Sequence, residues 1–433
     1  MTSNKRRNHF WIPDEEVIRV DRKPEARTKP RNIYFGKHGQ KLSSSLQSIK
    51  QAIDNASEDD SLADSGLMIF KVELPEGEKI KDRKALFAST GMEVKVVKNE
   101  NKAVIATTIK QFKSLKKRIE DYSKSGAGKS HFNYIEDFKP YIGSEKNSSS
   151  LQKITCSDRV PESLDIQLML MPNLNEEIYS LAIKRLIEKI GDKNGIIQEE
   201  PYYLSDNTPL IRAIIPSNSL FHYENDLAIY RIEETEFFSA DSVSKDEIDL
   251  NEIELDDNIV IENLPIVTVL DSGVKFSERL EPLILQHWTD GSSGGDSDHG
   301  TKVAGRVAFK YICDQLPGTK IIPRTRIIDC NILDGRVPLN VFIKRIQDAV
   351  ATFFDISKIY NLSSNAPSPI EGDEMSILGY ELDALQLKRN VQFIISSGNH
   401  QLWRTESCLE DILSDDDSRV SAPADSMLSI VVG

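Results

Sequence analysis

Two neighbouring stretches decide how this sequence is read: PIVTVLDSG over 265–273 and DSDHGTKVAG over 296–305. The first opens as an apolar run, Pro265 to Leu270, bounded by Pro and Gly, which predicts a fully buried strand. It ends in Asp271-Ser272-Gly273, so a carboxylate falls at the C-terminal end of that strand, where open α/β sheets gather their functional groups. In the second stretch His299 precedes Gly300, Thr301 and a run of small apolar residues, Val303, Ala304, Gly305, Val307 and Ala308. That pattern predicts a tightly packed helix with an imidazole at its start. Asp and His, in that order, are the orienting group and the base of a nucleophilic triad.

Downstream, the pattern alternates between strands and helices. TKVAGRVAFKYI predicts a helix, KIIPRTRIIDCNI a strand, and LNVFIKRIQDAVATFFDIS an amphipathic helix with Phe342, Ile346, Ala349, Val350 and Phe353 on one stripe. KIYNLSS then predicts a strand, MSILGYELDALQLKRN a helix, NVQFIISSGN a strand, and MLSIVVG a further strand. Residues 259–433 are therefore expected to form an α/β domain on a doubly wound parallel sheet.

Upstream, residues 1–60 read as a basic N-terminal arm followed by a helix from Leu42 to Ala56, and SEDDSLADSG over 57–66 as a solvated linker. Residues 61–150 give the order βαββα, a small α+β module of the split-βαβ, ferredoxin-like plait type. Residues 151–235 give a related α+β order, with the helix EEIYSLAIKRLIEKIGDKNG between apolar strands. Residues 236–258 read as an acidic linker. The Gly-Ala-Gly-Lys-Ser of 126–130 looks like the end of a phosphate-binding loop. It has Ser123 where the pattern needs glycine, and a charged helix where it needs a strand, so a surface loop is expected there.

The chain has 433 residues, 39% hydrophobic and 28% charged, with a net charge of -14. That length suits two or three domains, and the acidic balance argues against nucleic acid as a partner, since phosphate neutralisation needs clustered Lys and Arg. No apolar run reaches the length that spans a bilayer, no apolar core follows the basic N-terminus as in a secretory signal, and no membrane partner is expected. Cys156, Cys313, Cys330 and Cys408 are widely spaced without a CxxC pair, which predicts a reduced, cytoplasmic protein. Asp290, Asp296 and Asp298 lie in a Gly/Ser loop read as solvated, so neither a metal nor a cofactor is expected.

Motif by motif, the C-terminal part resembles the subtilisin-like serine proteases, the subtilases. VLDSG matches the Asp motif of the family and HGTKVAG its His motif; NLSSN matches the substrate-binding segment, IISSGN the oxyanion motif, and APADSMLSIVVG the Pro-Ala segment leading into a Val-Gly strand. The order Asp, His agrees with that family. The resemblance implies a serine endopeptidase acting on protein or peptide substrates. His299 would be general base, Asp271 its orienter and Asn399 the oxyanion donor; Ser363, Ser364, Asn365, Ser397 and Gly398 would line the peptide cleft, and Pro423 would be a cis-proline. The plainer alternatives are Asp271 as a loop cap, His299 as a core histidine and Asn399 as a turn residue.

The chain departs from the family in one respect that matters. Neither Gly300-Thr301-Lys302 nor Gly318-Thr319-Lys320 supplies the Gly-Thr-Ser of the nucleophile. Ser292 and Ser293 fall in the Gly/Ser loop, and Ser396 and Ser397 in the oxyanion strand. The expectation is the front part of a subtilase domain, truncated before its serine and inactive alone, or else a non-catalytic peptide-binding relative. The long N-terminal part is similar to that of large cytoplasmic bacterial subtilases, some encoded beside an AAA-type ATPase, which that resemblance adds as a partner. The module nearest the protease is expected to act as a prodomain-like chaperone or inhibitor.

Overall fold

The computed structural model describes residues 31, 33–56, 60–63, 65–240, 254–256, 258–291, 297–309, 320–370, 375–398 and 419–433. Residues 1–30, most of the acidic stretch, and Asn399 lie outside them.

Helix α1 runs over Phe35–Ala56, two turns longer at its start than the pattern from Leu42 predicts. Leu42, Leu46 and Ile49 form its buried stripe. The extra turns are held by His38, whose ring nitrogens contact the Tyr122 hydroxyl at 2.9 Å and the Ile135 carbonyl at 3.0 Å. Next in the chain is the first module: β1 (Leu67–Glu73), α2 (Lys84–Thr90), β2 (Glu93–Asn99), β3 (Lys102–Thr108), α3 (Ile109–Ser125), α4 (Lys129–Phe132) and β4 (Asp137–Pro140). Its sheet order is β2-β3-β1-β4, with every neighbour antiparallel. The helix α3 starts in a capping box built by Thr108 and Gln111 and ends at Gly126, whose φ is 74°. The Gly-Ala-Gly-Lys-Ser stretch is thus the turn between two helices, with no strand leading into it.

After α5 (Ser149–Thr155) comes the second module: β5 (Ser163–Leu170), α6 (Glu176–Asp192), β6 (Ile196–Ile197), β7 (Tyr202–Tyr203), β8 (Pro209–Pro216), α7 (Leu220–Glu224) and β9 (Ile229–Glu234). The order β6-β8-β5-β9, with β7 also on β8, is antiparallel throughout. It repeats the strand order of the first module, the broken pair β6 and β7 taking the place of β2.

A short β10 (Phe237–Phe238) and β11 (Glu254–Leu255) lead into the third sheet. The C-terminal domain built on that sheet contains β12 (Ile266–Asp271), β13 (Ile284–Thr289), α8 (Asp298–Phe309), β14 (Lys320–Ile321), β15 (Arg326–Asn331), β16 (Val337–Pro338), α9 (Leu339–Phe353), β17 (Ile359–Leu362), α10 (Ile377–Arg389), β18 (Gln392–Ser396) and β19 (Ile430–Val432). The main sheet runs β13-β15-β12-β17-β18-β19, all parallel. The strand order reverses at β12, which puts a switch point at the end of the Asp271 strand. The predicted strand over 320–332 divides into β14 and β15, and β13, an exposed edge strand without a buried apolar run, is an addition to the predicted set.

Each plait packs the open face of its sheet against the next unit in the chain. In the first module Met68, Phe70 and Val72 of β1 pack into the core beneath α1 and α3. Ile69, Val104 and Ala106, on the opposite face by the period of two, join the core of the second module. In that module Ile166, Leu168 and Leu170 pack with Ala182, Leu186 and Ile190 of α6. Met169 and Leu210 face the other way, into the core formed by α9 and α10. Residues 60–62, read as part of a solvated linker, are buried at the first of these joints. Among the described residues no helix is long and apolar enough to cross a membrane.

Candidate active site

Burial of β12 fixes the site. Val269, Leu270 and Asp271 are fully buried, and the strand is paired on both sides, so the Asp271 carboxylate has almost no freedom to move. Its Oδ1 accepts the backbone N–H of Ser272 at 2.8 Å and lies 2.7 Å from His299 Nδ1. Because an ionised carboxylate only accepts, Nδ1 carries the proton and donates, and Nε2 becomes the basic nitrogen of the ring.

Each residue after His299 has a mechanical reason to be what it is. A side chain at Gly300 would place its Cβ 2.2 Å from the Gly273 carbonyl, so only glycine lets α8 start directly against the turn after Asp271. Gly300 N donates to Ser272 Oγ at 3.3 Å, and Thr301 Oγ1 accepts from Lys275 N at 2.8 Å. The His-Gly-Thr triplet therefore clamps the start of the helix to the end of the strand. Ala304 and Ala308 keep the helix close to the sheet.

The remaining residues expected at the site sit on the segments after β17 and β18. Ser363 accepts from Asn361 Nδ2 at 2.9 Å, and Ser364 is buried with its hydroxyl 3.4 Å from the Ser239 carbonyl. The Asn365 amide nitrogen donates to the Ser396 carbonyl at 2.8 Å, and its oxygen accepts from Ser396 Oγ, so this side chain ties two loops together. Ser397 pairs through its backbone with Val432 and Ser421. Gly398 has a φ of 123°, a conformation that favours glycine. Asn399, expected as the oxyanion donor, lies outside the described residues. The Ala422–Pro423 peptide is cis.

Two features carry no clear signal in the sequence. The segment after β9 does not run away from the sheet. Phe237 and Phe238 pair antiparallel with Pro338 and Val337, Leu339 N donates to the Glu236 carbonyl at 2.9 Å, and the Ser239 carbonyl faces Ser364. Residues 236–239 thus lie between β16 and the segment after β17. Phe238 is fully buried and stacks on Phe342 with ring centroids 4.5 Å apart. The only hint is the Phe-Phe pair in an otherwise acidic stretch. Burial, with Glu233 adding repulsion, pushes the Glu236 carboxyl up to about 8.

The second feature is a His–carboxylate pair beside the first. His287 Nδ1 donates to Asp329 Oδ2 at 2.7 Å and its Nε2 to Glu281 at 2.9 Å. Burial opposes its charge, but these two partners outweigh that and raise its pKa. Burial raises the Asp329 carboxyl.

Comparison with known proteins fits this geometry. Residues 36–141 match the family model of the Y4kK N-terminal domain, and residues 262–433 match that of the subtilase family. No curated protein matches the chain. Among solved structures, the chain is similar to the epidermin leader peptide processing serine protease (EpiP) of Staphylococcus aureus. The identity is 16%, covering 63% of this chain and 69% of that one, with a TM-score of 0.34. A point mutant of the same protease gives 16% identity, 63% and 70% coverage and a TM-score of 0.36. At those scores the superposition carries no argument by itself. The family model does, and residues 262–433 of this chain are a domain of the subtilase family of serine proteases.

Proposed function

We propose that this chain is the front part of a subtilisin-like serine endopeptidase that hydrolyses peptide bonds through an Asp-His-Ser triad. The observation that carries the reading is the 2.7 Å contact between His299 Nδ1 and a fully buried Asp271. In this mechanism His299 Nε2 takes the proton of a serine hydroxyl as the oxygen attacks the scissile carbonyl. The same proton then goes to the leaving amine, while Asp271 holds the ring tautomer and stabilises the imidazolium. Asn399 donates to the oxyanion, a contribution worth about 10²–10³ in kcat in subtilisin, from which that figure comes. An extended peptide adds as a strand along Ser363, Ser364, Asn365, Ser397 and Gly398.

The 433 residues contain no Gly-Thr-Ser, and this polypeptide alone is proposed to be inactive. The second module acts as an intramolecular chaperone or inhibitor. Ser205 donates to the buried Glu381 of α10 through its backbone N at 2.8 Å and its hydroxyl at 2.5 Å. Arg231 reaches the Met375 carbonyl at 2.7 Å, and residues 236–239 occupy the place a substrate strand would take.

The test starts from the coding DNA past codon 433, read for an in-frame Gly-Thr-Ser. The longer product is then treated with a fluorophosphonate probe. Labelling that is lost in His299→Ala is the expected result. A longer product without the serine, or labelling indifferent to His299, sinks the protease reading in favour of a peptide-binding relative without catalysis.

A further inference from the structure

The groove beside β16 holds a short extended strand, and its two faces treat that strand differently. Phe237 pairs with Pro338 and Phe238 with Val337, and Leu339 N donates to the Glu236 carbonyl at 2.9 Å. Successive side chains of such a strand point to opposite sides. Phe238 goes inward, fully buried, with its ring centroid 4.5 Å from that of Phe342. Phe237 goes outward and is only half-buried, on the wall of a cleft of about 750 Å³ that Glu234, Arg336, Pro367 and Ile370 also line. A cleft that wide does not select a ring by shape. It meets the ring with charge instead: the Arg336 guanidinium lies over the Phe237 face, 4.2 Å from the centroid.

Arg336 is exposed, yet the turn that carries it is fixed. It follows Asp334 and Gly335 on the way from β15 to β16. Gly335 has a φ of 111°, a conformation that favours glycine. Asp334 accepts from Arg345 Nη1 at 2.6 Å. Arg345, only 7% exposed, is held in turn by Asp290 at 2.7 Å and by the Ile332 carbonyl at 2.9 Å. A second arginine, Arg212 of the second module, lies 5.3 Å from the same ring. Its Nε and Nη2 are already spent on Asp165, and it belongs to the module, not to the groove. Arg336 is part of the subtilase domain and stays with the groove whichever strand fills it. A guanidinium is attracted to the negative face of an aromatic ring and has no such attraction to an aliphatic side chain of equal size.

We propose that Arg336 is a specificity-determining residue, selecting an aromatic side chain of the substrate at the place where Phe237 now lies. The next side chain of that substrate is a large apolar one, taken up against Phe342. The substrate class is a polypeptide with an aromatic residue directly before a large apolar one, and Phe237-Phe238 is the internal example. The proposal rests on the protease reading in taking the entering strand as substrate. Its binding preference is measured on this chain, without hydrolysis.

The full chain carrying Phe237→Ala and Phe238→Ala together, which takes both rings out of the groove, is titrated with a fluorescein-labelled Glu-Phe-Phe-Ser peptide and followed by anisotropy. Alanine in place of the second Phe of the peptide is expected to weaken binding at least roughly a hundredfold, as for a buried ring. Cyclohexylalanine in place of the first Phe keeps the size and removes the aromatic face, and is expected to weaken binding roughly two- to fivefold. When Arg336→Gln is added, the Phe and cyclohexylalanine peptides should bind alike. Equal binding before that substitution, a preference that survives it, or no binding at all would each overturn the proposal. A second measurement leaves the groove filled. Arg336→Gln alone should raise amide exchange at Leu339 by roughly two- to fivefold, and should add nothing in Phe237→Leu. An equal effect in both backgrounds, or none in either, overturns it as well. The two readings fail separately. Fluorophosphonate labelling indifferent to His299 removes the protease and leaves the peptide preference, whereas an absent preference leaves the labelling intact.

Discussion

The first plait uses the open face of its sheet to sit on the second, and the second uses its own to sit on the subtilase domain. Both have the strand order 2-3-1-4 with antiparallel neighbours throughout. In the first, Ile69, Val104 and Ala106 are buried against the second module, and β4 leads only into a turn and α5. In the second, Met169 and Leu210 are buried against α9 and α10, and β9 continues into the groove beside β16. With the strand order shared, the residues on the open face and the path of the chain after the last strand set what each plait can do. The first is a support. The second reaches the site.

The joint between the plaits is where this contrast is easiest to break. Asp226 is fully buried and accepts from Lys189 Nζ and from Ser61 Oγ at 2.6 Å. Lys146, also buried, donates to the Asp226 carbonyl at 2.6 Å. Burial and the neighbouring Asp226 push the Asp60 carboxyl up to about 7. Removing one member of a buried pair leaves an uncompensated charge, at a cost of about 3–5 kcal/mol. Lys189→Met is therefore expected to lower the denaturation midpoint and to raise amide exchange in the first plait and α6. The groove at β10 should be untouched. Equal loss of protection at Phe237 and Phe238 would mean that the two modules act as one unit and the contrast is false.

Phe238→Ala tests the other joint. The ring is fully buried against Phe342, and Phe→Ala in a core costs about 3–5 kcal/mol. The low end is expected here, because a strand of two residues can leave the groove instead of holding a cavity open. Amide exchange at Phe237, Phe238 and Leu339 should rise at least roughly a hundredfold, by the relation between free energy and opening, with the first plait unchanged. Unaltered exchange at Leu339 would show that the segment is held by something other than this ring.

The sequence exposed these parts unevenly. The Asp271 strand and the His299 helix were legible because each signal is local: a buried run ending in a carboxylate, and a His-Gly-Thr whose glycine touches the turn it must approach. The second plait was legible by its apolar strands around one amphipathic helix. Residues 57–66 were not, since Asp60 and Ser61 look solvated until Asp226 and Lys189, more than a hundred residues away, are brought to them. The strand β10 was hidden for a similar reason: two phenylalanines in an acidic stretch have no period, and only their partners on β16 and α9 make them a strand. For Asn365, a motif resemblance assigned a place in the peptide cleft, but nothing in that motif announced the bridge its amide also makes to Ser396.

The smallest effect separates docking of residues 236–239 by shape from docking by charge. Glu236 is held up to about 8 from an ordinary 4.5, chiefly by burial and then by Glu233, with Arg231 opposing. A carboxyl with a raised pKa in the docked state is protonated there while still ionised in the free segment. Docking is then strongest below about pH 4.5, weakens as pH rises toward 8, and is flat above it. Between pH 6 and 8 the opening equilibrium of the segment, measured by exchange at Phe238 and corrected for the intrinsic rate, should rise roughly fiftyfold. In Glu236→Gln the dependence should vanish and the segment should stay docked at pH 8. A pH slope that survives this substitution would place the titrating group elsewhere on the second plait, and the groove would then be closed by Phe238 and the backbone pairs alone.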